Sequence, residues 1–67
     1  MINTQEIRQA IKRRGLKESW IAEQIGLSQP AFSNRITGRS KMTLEDLQNI
    51  NRVIHLTDEE IKTIVCQ

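Results

Sequence analysis

The sequence predicts an all-α fold: a compact five-helix domain that takes in residues 1–67 as a single unit. Apolar residues recur three and four positions apart in five separate segments, which is the periodicity of a helix with one buried face. Glycines and N-cap residues separate these segments, and no alternating pattern typical of strands is present. A chain of this length buries only about 60% of its unfolded surface, so we expect a small core.

The first two predicted helices both end at a glycine. The first has Asn3 and Glu6 at capping-box spacing, stops at Gly15, and carries an apolar stripe of Ile7, Ala10 and Ile11. The second stops at Gly26 and has no strong N-cap residue; its apolar residues are Ile21, Ala22 and Ile25.

The third predicted helix lies near residues 28–37. Ser28 is placed to accept a hydrogen bond from the backbone of Ala31, and Pro30 falls in the first turn, where a missing N–H does little harm. Gln29 precedes proline, which disfavours the helical conformation, so we expect a slightly irregular start. Phe32 and Ile36 share the apolar face, and Gly38 ends the helix.

Capping boxes mark the last two predicted helices, Thr43 with Asp46 and Thr57 with Glu60. The apolar stripe of the fourth helix consists of Leu44, Leu47, Ile50 and Ile54. The stripe of the fifth consists of Ile61, Ile64 and Val65. Both stripes predict one face buried in the core.

Composition argues against several classes of function. The chain has one cysteine, Cys66, and one histidine, His55, so neither an internal disulfide nor a Cys/His metal cluster is expected. No apolar run approaches the roughly 20 residues of a membrane span. We therefore expect a cytoplasmic protein without metal or cofactor, and since no nucleophile pairs with His55, not an enzyme.

Charge is unevenly distributed along the chain. Residues 1–44 contain eight basic and three acidic residues, a net charge of +5, and residues 45–67 contain two basic and five acidic residues, a net charge of −3. Such asymmetry fits a polyanion-binding side, although solvated helix faces explain it equally well.

The second and third predicted helices fit a helix-turn-helix, with small Ala22 where the helices approach each other and Gly26 in the turn. Residues 16–38, LKESWIAEQIGLSQPAFSNRITG, resemble the helix-turn-helix of the lambdoid phage repressor and Cro superfamily, also called the XRE family. The five-helix order extends the resemblance over most of the chain. It implies a helix-turn-helix at about residues 18–37, with the third helix in the major groove of double-stranded DNA.

The resemblance implies roles for individual residues. Those that would contact base edges are Gln29, Pro30, Ser33 and Asn34. Amides suit the N6 and N7 atoms of adenine, a hydroxyl suits either base type, and proline offers only an apolar contact such as one to a thymine methyl. Those that would contact phosphates are Lys17, Arg35, Arg39 and Lys41. Arg35 has a second interpretation, in which its stem lies along the rim of the core.

Two residues depart from the family pattern and support a second hypothesis. Glu18 stands where the family often has a phosphate-binding glutamine, and Trp20 stands where it commonly has a polar residue. Trp20 either packs on the rim of the core or anchors a protein partner, since tryptophan is enriched in binding hot spots.

The favoured function is a Cro-like transcriptional regulator of a phage or prophage switch that recognises a DNA operator. The alternative is a small phage-type modulator, or antirepressor, that keeps the fold but binds a repressor protein through Glu18 and Trp20. The sequence leaves open whether two copies form a homodimer.

Overall fold

The computed structural model describes residues 2–65, which form five helices and no strand. The helices are α1 (Thr4–Arg13), α2 (Glu18–Gln24), α3 (Gln29–Ile36), α4 (Leu44–Ile54) and α5 (Asp58–Val65). They pack into a compact unit with a radius of gyration of 10.7 Å. The predicted all-α class is therefore confirmed.

The side-chain caps of α3, α4 and α5 form as predicted. Ser28 Oγ accepts from the Ala31 N–H at 3.2 Å, and the box of Thr43 and Asp46 is complete at the start of α4. At the start of α5, Thr57 and Glu60 exchange two hydrogen bonds of 2.9 and 3.1 Å. These bonds satisfy backbone N–H groups that a helix N-terminus leaves without a partner, so they fix where each helix begins.

Two predictions about helix starts were wrong. Asn3 caps α1 with its side chain, but its own N–H donates to the Ile64 carbonyl at 2.7 Å instead of to the Glu6 carboxylate, so no capping box forms. The start of α3 is regular, since Gln29 is its first helical residue. The Ser28 cap and the Phe32 N–H to Ser28 carbonyl bond of 2.9 Å outweigh the preference of a residue before proline.

The core is aliphatic apart from Phe32. Its buried apolar members are Ile7, Ala10, Ile11, Ile21, Ala22, Phe32, Ile36, Met42, Leu47, Ile50, Ile54, Leu56 and Ile64. They come from all five helices and from the segments that flank α4. Helix α1 packs against α3 and α5, and α2 packs against α3 and α4.

Two members of the predicted apolar stripes are not buried. Leu44 is 62% exposed and Val65 is 41% exposed, whereas Leu47 and Ile64 on the same helices are buried. Leu44 is the first residue of α4 and Val65 the last of α5, so each lies at a helix end. Periodicity identifies the face of a helix, but neighbouring helices decide how far along that face burial extends.

Arg14 joins α1 to the end of α4 and to the start of α5. Its guanidinium donates to the carbonyls of Ile54 and His55, both at 2.9 Å, and to the carbonyl of Ala10 at 3.0 Å. It also binds both carboxylate oxygens of Glu60 at 2.7 Å. Such charge-assisted bonds are stronger than neutral ones, so this residue fixes how three helices meet.

Candidate nucleic-acid interface

The turn between α2 and α3 sets the relative position of these two helices. Gly26 has a φ of +78°, a left-handed conformation that glycine adopts without strain. The Leu27 N–H donates to the Ala22 carbonyl at 2.9 Å, which closes the turn onto the preceding helix. Ala22 itself is buried, and its small side chain lets the helices approach closely.

Helix α3 has one face in the core and another in solvent. Phe32 and Ile36 are buried to 1% exposure and anchor the helix. Gln29, Pro30 and Ser33 are all exposed. Gln29 and Ser33 are four residues apart and therefore neighbours on the helix surface. The structure thus brings three of the four predicted base-contacting residues together.

Asn34, the fourth predicted base-contacting residue, lies at the margin of this face. Its side chain is half-buried, unlike that of Ser33, and it follows Pro30 by four residues on the same side of the helix. Its backbone carbonyl accepts from the Ser40 N–H at 2.9 Å. Asn34 therefore also holds the segment that follows α3 against the helix.

Three of the predicted phosphate-binding residues are exposed around α2 and α3. Lys17 is the N-cap residue of α2, and Arg39 and Lys41 flank Ser40, whose N–H donates to the Asn34 carbonyl. Within residues 2–65, none of these three forms an ion pair. Their charges are therefore available to an external anion.

Arg35, the fourth predicted phosphate-binding residue, faces α4. Its Nη1 donates to Asp46 Oδ1 at 2.8 Å, and Asp46 Oδ2 accepts from the Thr43 N–H at 3.1 Å. The guanidinium therefore links α3 to the capping box of α4, in agreement with the interpretation that places Arg35 on the rim of the core. A phosphate contact by Arg35 stays a prediction that now competes with this ion pair.

Ion pairs join acidic residues in the second half of the chain to basic residues in the first half. The second half is acidic, yet Asp46 and Glu60 bind arginines of the first half, namely Arg35, Arg13 and Arg14. The hydrogen bonds from Arg14 hold the pKa of the Glu60 carboxyl well below its usual range; the Thr57 N–H lowers it further, and the Arg13 hydrogen bond and the charge of Arg14 add smaller contributions. These arginines stabilise the fold, so they are weaker candidates for binding a partner.

Glu18 has a partner that sequence analysis did not identify. Arg8 Nε donates to Glu18 Oε2 at 3.2 Å, which links α1 to the first turn of α2. The two residues are ten positions apart and lie on different helices, so no local spacing could indicate the pair. Near a polyanion, Arg8 offsets the repulsion expected from this carboxylate.

Trp20 lies beside the start of α3 and is 42% exposed. An open depression of about 540 Å³ there is lined by Ser19, Trp20, Ala22, Glu23, Leu27 and Gln29. The first turns of α2 and α3 therefore border one continuous surface. The indole is partly covered by its neighbours, yet enough of it is exposed to contact a partner.

Two specific features are absent from the described part of the chain. Residues 2–65 contain no group of three or more His, Cys, Asp or Glu side chains that could hold a metal ion. The same residues include no helix both long and apolar enough to cross a membrane. Cys66 lies outside the described residues.

No family model matches the chain, and neither the curated proteins nor the solved structures provide a match.

Proposed function

We propose that this chain is a sequence-specific DNA-binding protein, a Cro-like transcriptional regulator of a phage or prophage switch, and that α3 enters the major groove of its operator. The observation that carries the proposal is that buried apolar residues anchor α3 while polar residues of the same helix are exposed. Phe32 and Ile36 anchor the helix in the core, whereas Gln29, Pro30 and Ser33 are exposed. A helix that contacts base edges must present polar side chains that are accessible to the DNA.

The dimensions of α3 suit this role. An α-helix with its side chains is about 10–12 Å in diameter, which fits the major groove of B-DNA, about 12 Å wide. Gln29 and Asn34 would donate to and accept from adenine, and Ser33 would bind either base type. Pro30 would make an apolar contact.

Cations at both ends of the proposed interface support the same orientation. Lys17 precedes α2, Arg39 and Lys41 follow α3, and all three are exposed, so a duplex bound at these helices would meet positive charge. Phosphate contacts of this kind orient a protein on DNA but carry no sequence information. Together with the amides of α3, they supply the two kinds of contact that sequence-specific binding needs.

The decisive experiment is selection of bound sequences from a random duplex pool at moderate salt, with the full-length protein. Enrichment of one sequence is the expected result. An inverted repeat with half-sites about one helical turn apart would identify a dimer, and a lone half-site would identify a monomer. A folded protein that enriches no sequence would contradict the proposal.

Variants then assign the contacts. Gln29→Ala should relax preference at one base pair, at a cost of about 1–3 kcal/mol on the selected site, and leave binding to other sequences unchanged. Lys41→Ala should weaken all sequences alike. Exposed residues on other helices provide matched controls, Gln48→Ala on α4 and Lys62→Ala on α5, and neither should alter binding. Uniform weakening by Gln29→Ala would contradict its role as a base contact.

The exposure of Trp20 favours a second candidate function, that of an antirepressor which binds a repressor protein. Tryptophan is enriched among residues that dominate protein interfaces. If this function is correct, Trp20→Ala should abolish capture of the repressor while the circular dichroism spectrum stays unchanged. Capture that persists in Trp20→Ala would contradict it.

A further inference from the structure

We infer that Arg8 on α1 contacts a DNA backbone phosphate and that Glu18 is its positioning residue, an inference that rests on the proposed function. The pair is close, with Arg8 Nε 3.2 Å from Glu18 Oε2, and neither side chain is buried. Of the three guanidinium nitrogens of Arg8, only Nε has a hydrogen-bond partner within residues 2–65. The two Nη nitrogens are therefore available to an anion.

Arg8 differs in this respect from Arg14, the arginine after α1 that links three helices. All three guanidinium nitrogens of Arg14 bind carbonyl or carboxylate oxygens of the protein. A guanidinium presents its donors as a rigid planar fork, so one bound nitrogen fixes the direction in which the others point. Glu18 thus orients Arg8 without using up its capacity to bind a phosphate.

The surroundings of Arg8 favour an anionic ligand. The pair borders an open depression of about 360 Å³ lined by Gln5, Arg8, Gln9, Ile11, Lys12, Leu16 and Glu18. Two cations and two amides in this lining can donate hydrogen bonds to a phosphate, and Glu18 is its one carboxylate. Because Arg8 binds that carboxylate, Lys12 adds positive charge that no acid in the depression offsets.

The position of Glu18 places this depression at the edge of the proposed interface. Ser19 and Trp20, which follow Glu18, share a depression with Gln29 at the start of α3. A DNA strand that borders the groove occupied by α3 would therefore pass the first turn of α2. Arg8 reaches this turn from α1 through its bond to Glu18.

The test measures how the affinity of the full-length protein for a duplex depends on salt between 50 and 200 mM. The probe is the duplex selected by the wild-type protein, and Arg8→Gln is compared with Arg13→Gln. Arg13 is a suitable control because it also lies on α1 and also binds one carboxylate, that of Glu60, at 3.0 Å. It faces the acidic start of α5 instead of α2.

Loss of one phosphate contact makes the slope of log affinity against log salt shallower by about 0.9. For Arg8→Gln, the ratio of wild-type to variant affinity should therefore fall about 3.5-fold between 50 and 200 mM salt. Arg13→Gln should keep the wild-type slope. Equal slopes for both variants and the wild type, with circular dichroism showing all three folded, would overturn the inference alone. A wild-type protein that binds no duplex at 50 mM salt would overturn the proposed function with it.

A double-mutant cycle tests the positioning role of Glu18. Without Arg8, the carboxylate lies beside the phosphate with no partner, so Glu18→Gln should strengthen binding in the Arg8→Gln background. With Arg8 present, the same substitution removes both a repulsion and a positioning bond, and the gain should be smaller. Identical gains in the two backgrounds would show that the residues are not coupled in the complex and would overturn the positioning role.

Discussion

Arg14→Met is expected to destabilise the fold because it removes a guanidinium that links three helices. The variant keeps an unbranched side chain but loses the guanidinium, which binds the carbonyls of Ile54, His55 and Ala10 and both carboxylate oxygens of Glu60. The side chains of Arg14 and Glu60 are 22% and 11% exposed. Removal of one partner from a fully buried ion pair costs about 3–5 kcal/mol. Partial exposure puts this pair at the lower end, about 3 kcal/mol.

That loss is large for so small a protein. A domain of this length has a free energy of unfolding of roughly 3–10 kcal/mol. Urea denaturation followed by circular dichroism, at an m-value of about 1 kcal/mol/M, should therefore show a midpoint lower by roughly 3 M, or no folded baseline. The control is Arg13→Met, which removes a side chain that is 53% exposed and binds Glu60 only once. It should cost less than about 1 kcal/mol. Equal losses in the two variants would refute the assigned role of Arg14.

Acid titration checks the same ion pair independently. Arg14 lowers the pKa of Glu60 in the folded state, so the unfolded state binds the proton more readily. The stabilisation is therefore complete above the unfolded pKa of about 4.3 and is lost as the pH falls below it. The free energy of unfolding of the wild type should decrease more steeply below pH 4 than that of Arg14→Met. Parallel curves would show that this carboxylate gains nothing from Arg14.

Two further predictions concern backbone conformation and burial. His55 ends α4 with a φ of 56°, a left-handed conformation that is strained for a residue with a side chain, so His55→Gly should raise the free energy of unfolding by about 0.5–1 kcal/mol. Gly15→Ala, at a φ of +68° with open space around the added carbon, should lower it by about 1 kcal/mol. Leu44→Ala should change it by less than about 0.5 kcal/mol, whereas Leu47→Ala should cost about 2–3 kcal/mol, because only Leu47 is buried. Urea midpoints measure all four variants, and a stabilised Gly15→Ala or a costly Leu44→Ala would contradict these assignments.

Local sequence signals predicted most of the helix boundaries. Ser28, Thr43 and Thr57 cap the helices they precede, because a cap depends only on residues within one turn. Gly15 and Gly26 likewise end helices, because glycine adopts positive φ without strain whatever its neighbours are. Signals of this range can be identified without knowledge of the tertiary structure.

Features that depend on distant residues could not be predicted. The bond from Asn3 to the Ile64 carbonyl replaced the expected capping box, and its two ends are almost a chain length apart. Met42 and Leu56 are buried although neither belongs to a helical stripe. Base contacts by Gln29 and Ser33 stay a prediction; their exposure could be expected from the sequence because neither is apolar.

The arginines and lysines of this chain fall into two groups, those that bind carboxylates of the protein and those that form no ion pair within residues 2–65. Arg14 and Arg35 are bound to carboxylates that also cap helices, so removing either disturbs helix ends as well as charge. Lys17, Arg39 and Lys41, around α2 and α3, form no ion pair within residues 2–65, and the same holds for Lys12, Arg52 and Lys62 on the other helices. Net charge alone could not separate these groups. The exposed cations around α2 and α3 are the physical reason for the proposal that this surface binds a polyanion.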